Sequence, residues 1–151
     1  MNNIIETFTK EADKRKVWQE VLNSTHEEKG VVFKLRESEY ESKRSKYWKK
    51  MKKVQTFDGV IMNFNLDKDH PDQYIVSIDT GQYIGNRLVK VASVGNLTKE
   101  QREDFRMNMK KHIGNVIQFK ADFQTENSYK NPRFDCQRPD KKPQSCVWKE
   151  S

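Results

Sequence analysis

Hydrophobic positions change their rhythm twice along the chain. Up to Asn23 they recur at three- and four-residue steps: Ile4, Ile5, Phe8 and Ala12, then Val17, Trp18, Val21 and Leu22. That spacing predicts one or two helical pieces over 4–23, with Trp18 in a core and Asn23-Ser24 as the exit. Gly30-Val31-Val32-Phe33-Lys34-Leu35 is a short, almost wholly apolar run, predicting a strand that wants cover on both faces. No second strand of that kind stands in residues 1–53. One helix with one or two strands does not make a stable unit alone, so this segment is expected to be the end of a domain whose body lies outside the chain.

From Val54 the rhythm becomes one of short strands and turns. Phe57 to Phe64, Tyr74 to Ile78 and Leu88 to Val94 predict three strands. A polar loop with His70-Pro71 follows the first, and Asp79-Thr80-Gly81 reads as a turn closing the second. Thr98-Lys99-Glu100-Gln101 fits a capping box, opening a helix whose apolar stripe is Phe105, Met109 and His112 or Ile113. Gly114 ends it. Val116 to Phe123 and Arg133 to Cys136 predict the last two strands. Three strands, a helix, then two strands is the order of an OB-fold, a five-stranded Greek-key barrel with its helix between strands three and four. The expected class is therefore mainly β with helices, residues 54–151 forming the barrel and Lys53–Gln55 the hinge before it.

Composition adds a partner class. The chain carries 29 Lys and Arg against 22 Asp and Glu, a net charge of +7, which favours a polyanion such as nucleic acid over a neutral ligand. Residues 1–53 hold most of the excess, 14 basic against 9 acidic. It concentrates in Lys43-Arg44-Ser45-Lys46-Tyr47-Trp48-Lys49-Lys50-Met51-Lys52-Lys53. No apolar run approaches a membrane span and no leader-like segment follows Met1, so an intracellular location without a membrane partner is expected. Cys136 and Cys146 are then expected to be reduced and structural. His26, His70 and His112 are scattered. His-x-x-x-His, Cys-x-x-Cys and Gly-x-x-x-x-Gly-Lys patterns are all missing from the sequence.

Three elements stand in a fixed order: Gly30-Val31-Val32-Phe33-Lys34; Tyr40, Lys43-Arg44-Ser45 and Trp48-Lys49-Lys50-Met51-Lys52; and Pro132-Arg133-Phe134 with Arg138-Pro139-Asp140-Lys141. Together, and around an OB pattern, they resemble the C-terminal part of ATP-dependent DNA ligases from about Val17 to Cys146. That family has Glu-Gly-apolar-apolar-x-Lys, Tyr-x-x-x-Lys-Arg-Ser, Trp-x-Lys-x-Lys, Pro-Arg-Phe and Arg-x-Asp-Lys, in that order. The resemblance implies that residues 1–53 are the C-terminal fragment of a nucleotidyltransferase (adenylation) domain and 54–151 its OB domain.

Residues two apart on a strand share a face. Lys50 and Lys52 would thus present paired ammonium groups, with Met51 behind them in the core. Two adjacent cations suit a phosphate that gains charge in a transition state; a solvated basic strand is the bland alternative. The resemblance assigns Lys34, Lys50 and Lys52 to the phosphates of ATP or the adenylate. It assigns Arg138, Asp140 and Lys141 to closing over the nucleotide and orienting pyrophosphate. Lys43, Arg44, Lys46 and Arg133 become candidates for the DNA backbone, contacts that position a duplex without reading it.

Two departures stand out. The family's metal-holding Glu before Gly is Lys29 here, with Glu28 one place earlier and so on the opposite strand face unless a bulge intervenes. The nucleophile motif Lys-x-Asp-Gly is missing from these residues: the one Asp-Gly, Asp58-Gly59, has Thr56 in the lysine place and reads as the start of the first barrel strand. The implied function is part of an ATP- and Mg²⁺-dependent enzyme sealing nicked duplex DNA, with this chain not adenylating itself. A split enzyme with a partner chain carrying the rest of the adenylation domain, a non-enzymatic DNA-binding OB module, and an mRNA-capping or RNA-ligase relative remain open alternatives.

Overall fold

The computed structural model describes residues 11–23, 30–70 and 74–150. The expected helix content at Ile4–Phe8, the proposed metal residue Glu28 with its neighbour Lys29, and Pro71 lie outside them. The chain divides into two compact units between Lys53 and Val54.

In the first unit, helix α1 (Glu11–Asn23) buries Val21 and half-buries Val17 and Trp18. Strand β1 (Gly30–Lys34) pairs antiparallel with β2 (Trp48–Lys52), Gly30 opposite Lys52 and Lys34 opposite Trp48. The expectation of a strand covered on both faces is corrected: Val31 and Phe33 are half-buried, whereas Val32 is exposed. Its partner is a lysine strand, exposed at every residue but Trp48. Met51, expected in the core, is 39% exposed. It shares the Val31 face but lies across from it on a two-stranded edge, where the ribbon alone supplies little to bury it.

The second unit is the expected barrel. Strands β3 (Gln55–Leu66), β4 (Ile75–Ile84), β5 (Arg87–Val94), β6 (Val116–Ala121) and β9 (Arg133–Gln137) form one antiparallel sheet in the order β5-β4-β3-β6-β9. The two edges meet through a parallel bridge between Gly95 and Arg133, where Gly95 N donates to Pro132 O and Phe134 N to Gly95 O at 3.2 and 2.9 Å. That bridge closes the Greek-key barrel. A small ribbon, β7 (Phe123–Gln124) with β8 (Tyr129–Lys130), connects β6 to β9. The predicted fourth strand over 116–123 is broken at Asp122, whose carboxylate accepts from Asn131 and Arg133.

The capping box forms as read: Gln101 N donates to Thr98 Oγ1, and Gln101 Oε1 accepts from Thr98 N. The helix is split by Asn108 into α2 (Lys99–Met107) and α3 (Met109–His112). Phe105 is fully buried, its ring against Phe64, His112 and Phe134. The helix thereby plugs the barrel whose lining includes Ile61, Ile75, Ile78, Val94, Ile117 and Phe119.

Asp79-Thr80-Gly81 does not turn. It continues β4 through a register shift at Thr80/Gly81. The true hairpin loop is Gly85-Asn86, between the paired residues Ile84 and Arg87, with Gly85 at φ +60°. Asp79 is used across the sheet instead, accepting from Asn65 and Ser93 and pairing with Lys90 at 2.9 Å. Partial burial pushes its carboxyl up, but these donors outweigh that and hold it below the usual range.

Candidate functional site

The first site is the β1–β2 ribbon. Directly opposed residues of an antiparallel pair point to the same face, so Val32, Lys34, Trp48, Lys50 and Lys52 lie on one side and Val31, Phe33, Lys49 and Met51 on the other. The sequence assigned Lys34, Lys50 and Lys52 separately; the register brings all three to one exposed face. Lys34 Nζ sits 4.0 Å from the centre of the Trp48 ring, a cation–π contact that fixes the ammonium over a flat apolar floor. The Tyr40 ring stands 6.1 Å from that of Trp48. Such a face, cationic and ribbon-rigid, suits phosphate oxygens.

The connection from Leu35 to Tyr47 is closed by Leu35 N donating to Tyr47 O, and Ser45 Oγ accepts from Tyr47 N. Lys43, Arg44 and Lys46 are all exposed on this loop, with Lys46 over the Tyr47 ring at 5.0 Å. They form a basic rim accessible to a polyanion. Among the described residues no three His, Cys, Asp or Glu side chains converge as a metal site.

The second site lies in the barrel unit. After β9 the chain turns through Arg138-Pro139-Asp140-Lys141, with Arg138 N donating to Val116 O and Lys141 N to Arg138 O. Arg138 grips Asp140 by two parallel bonds, Nε to Oδ1 at 2.9 Å and Nη2 to Oδ2 at 2.8 Å. Its Nη1 donates to Gln118 Oε1 at 2.8 Å and reaches Asp58 Oδ1 at 3.4 Å. Lys141 Nζ donates to the other oxygen of Asp58. The Asp140 bond holds the Arg138 guanidinium above its ordinary range, and Arg138 in turn holds the Asp140 carboxyl at about 2. Gln118 passes the network on: its Nε2 donates to Asp135, which also pairs with Lys120 at 2.7 Å.

Asp58 is the residue that sequence reasoning missed here. The sequence offers it only as part of the first barrel strand, without the lysine of a nucleophile motif. The structure gives Asp58-Gly59 two other roles: counter-charge to the turn, and a close packing point where a Cβ on Gly59 would stand 2.3 Å from Thr80 Cγ2. Nothing in a sequence links an aspartate to a turn some eighty positions later. Arg133, a candidate DNA contact, reaches Asp122 at 3.3 Å beside the barrel-closing bridge. Cys136 and Cys146 are both free thiols, the second buried and pushed up by that burial.

No protein-family model and no curated protein matches the chain. Solved structures do. One titled Pmar-Lig_Pre superposes with a TM-score of 0.69 at 21% identity, covering 84% of this chain and 31% of its own. One from a study of Lig E DNA ligases gives 0.65 at 16%, covering 88% and 48%. A mycobacterial DNA ligase D complexed with ATP and MES gives 0.50 at 20%, covering 77% and 45%. At these identities the likeness is one of fold. The chain spans about a third to a half of the length of these structures.

Proposed function

We propose that the chain supplies the C-terminal catalytic elements of an ATP-dependent DNA ligase: the last ribbon of an adenylation domain and the OB domain after it. The chain has the fold of DNA ligases. The observation that carries the finer reading is the β1–β2 register, which gathers Lys34, Lys50 and Lys52 on one exposed face. In this reading the ribbon lysines hold the α-phosphate of ATP, then that of the adenylate on a DNA 5′-phosphate, and offset charge as it develops there. The fold likeness to a ligase complexed with ATP supports ATP as the nucleotide.

The Arg138–Lys141 turn serves the outgoing pyrophosphate, and the exposed loop carrying Lys43, Arg44 and Lys46 holds the duplex backbone, with Arg133 a further contact. Mg²⁺ would neutralise phosphate charge; Glu28, one candidate for holding it, lies outside the described residues. The lysine that becomes adenylated belongs to residues other than these 151, on the same or a separate chain. Incubating the purified chain with labelled ATP and Mg²⁺ tests this. The expected result is no covalent label alone, and label transfer to nicked DNA when a segment bearing Lys-x-Asp-Gly is supplied. A covalent adenylate on this chain would overturn the assignment.

A further inference from the structure

Arg138 and Lys141 do not present free positive charge. They stand with two carboxylates, Asp58 and Asp140, so the cluster is electrically balanced. Four bonds already leave the Arg138 guanidinium, two to Asp140, one to Gln118 and the longest, at 3.4 Å, to Asp58. Lys141 Nζ is held by the same Asp58 carboxylate. Among the described residues Asp58 is thus the one anion bonded to both cations, and it makes the longest of the Arg138 contacts. Its own position is built from behind: buried Gln82 donates Nε2 to Asp58 O at 2.8 Å, and Tyr129 Oη donates to Gln82 Oε1 at 2.8 Å. A recess of about 230 Å³ opens beside the pair, with Arg138 and Lys141 in its wall.

From this geometry we infer that Asp58 is an internal competitor for the phosphate-binding cations of the turn. A phosphate group entering at the Asp58 carboxylate meets Arg138 Nη1 and Lys141 Nζ together, while the Asp140 grip keeps the guanidinium oriented throughout. The carboxylate therefore masks the turn when no polyphosphate is present and gives way when one is. This inference rests on the phosphate role assigned to the turn above, and adds the residue that sets its affinity.

The test is a titration of the 151-residue chain with inorganic pyrophosphate at low salt, followed by the backbone amide signals of Arg138, Asp140 and Lys141. Asp58→Asn removes the competing charge and keeps the shape. It is expected to bind pyrophosphate roughly five- to tenfold more tightly than wild type, since a unit charge a few ångströms from a multiply charged anion acts strongly when little salt screens it. Asp58→Glu, which restores the charge, is expected to stay near wild type. Glu126→Gln, the same charge change on the exposed loop between β7 and β8, is expected to do so as well. Equal or weaker binding by a folded Asp58→Asn chain overturns the competition and leaves the phosphate role of the turn intact. An equal gain in Glu126→Gln likewise overturns it, as an effect of net charge. Pyrophosphate that leaves these amides unmoved in every variant overturns both. Should Asp58→Asn not fold, Asp58→Ser serves as the neutral variant under the same criteria.

Discussion

Gly59→Ala isolates the reason Asp58 is followed by glycine. The residue lies in β3, paired with Ile117 of β6, and its backbone does not adopt a positive φ, so alanine fits the local conformation. Backbone entropy alone would favour alanine by about 0.4–1 kcal/mol. Packing opposes it. The new Cβ would stand 2.3 Å from Thr80 Cγ2 where ordinary contact begins at 3.4 Å, a shortfall of about 1 Å, with Gly81 O at 3.2 Å as a second close neighbour. Thr80 is fully buried, and its hydroxyl donates to Ile78 O at 3.2 Å. Rotating the methyl away would forfeit that bond in a closed interior. Overpacking of this kind costs about 1–3 kcal/mol, so the clash outweighs the entropic gain. A net loss of about 1–2 kcal/mol follows, a drop in Tm of about 4–8 °C for each kcal/mol in a domain of this size. Thermal unfolding by circular dichroism measures it. Thr80→Ser deletes Cγ2 and keeps the hydroxyl, so Gly59→Ala in that background should cost little or stabilise. An unchanged Tm in Gly59→Ala, or no recovery in the Thr80→Ser background, would refute this account of the packing.

Other expectations follow from the same structure. The Asp140 carboxyl, held at about 2 by Arg138, should show a midpoint near that value in a carbon-detected NMR titration, and a midpoint near 3.8 would mean the bidentate grip is not kept in solution. Because its folded pKa is depressed, its contribution to stability is present above the unfolded value of 3.8 and is lost as pH falls through about 2. Phe105→Ala removes the fully buried plug of the barrel and should cost about 3–5 kcal/mol in denaturant unfolding. Tyr129→Phe leaves the buried Gln82 Oε1 without its donor and should cost about 1–3 kcal/mol, read by the same unfolding curves.

How much of this was legible beforehand varies with the range of the interaction. The barrel was readable because each strand carries its own alternation and the helix its own start signal, Thr98 with Gln101. The Gly85-Asn86 hairpin loop carries a local signal too. Asp79-Thr80-Gly81 offers stronger turn chemistry, yet those residues serve the sheet. Gly81 sits where a Cβ would meet Met62 Sδ at 2.5 Å, and Asp79 answers Lys90. The ribbon was half legible: alternation placed Lys50 and Lys52 together, but only the pairing register joins them to Lys34, and only the missing cover on a two-stranded edge exposes Met51. Asp58 was illegible as a partner of Arg138 and Lys141, because the pairing of β3 with β6 and of β6 with β9, not local pattern, brings strand and turn together.

The central claim is that one face of the ribbon reads the phosphate at a DNA break. Fluorescence anisotropy with three duplexes tests it most directly: intact, nicked with a 5′-phosphate, and nicked with a 5′-adenylate. Each is titrated with the chain at several salt concentrations. The account predicts tighter binding to the adenylated nick than to the intact duplex, a preference that Lys50→Ala with Lys52→Ala removes while general, salt-sensitive duplex binding persists. Equal affinity for all three duplexes, unchanged by the double substitution, would contradict it and leave a DNA-binding OB module in its place.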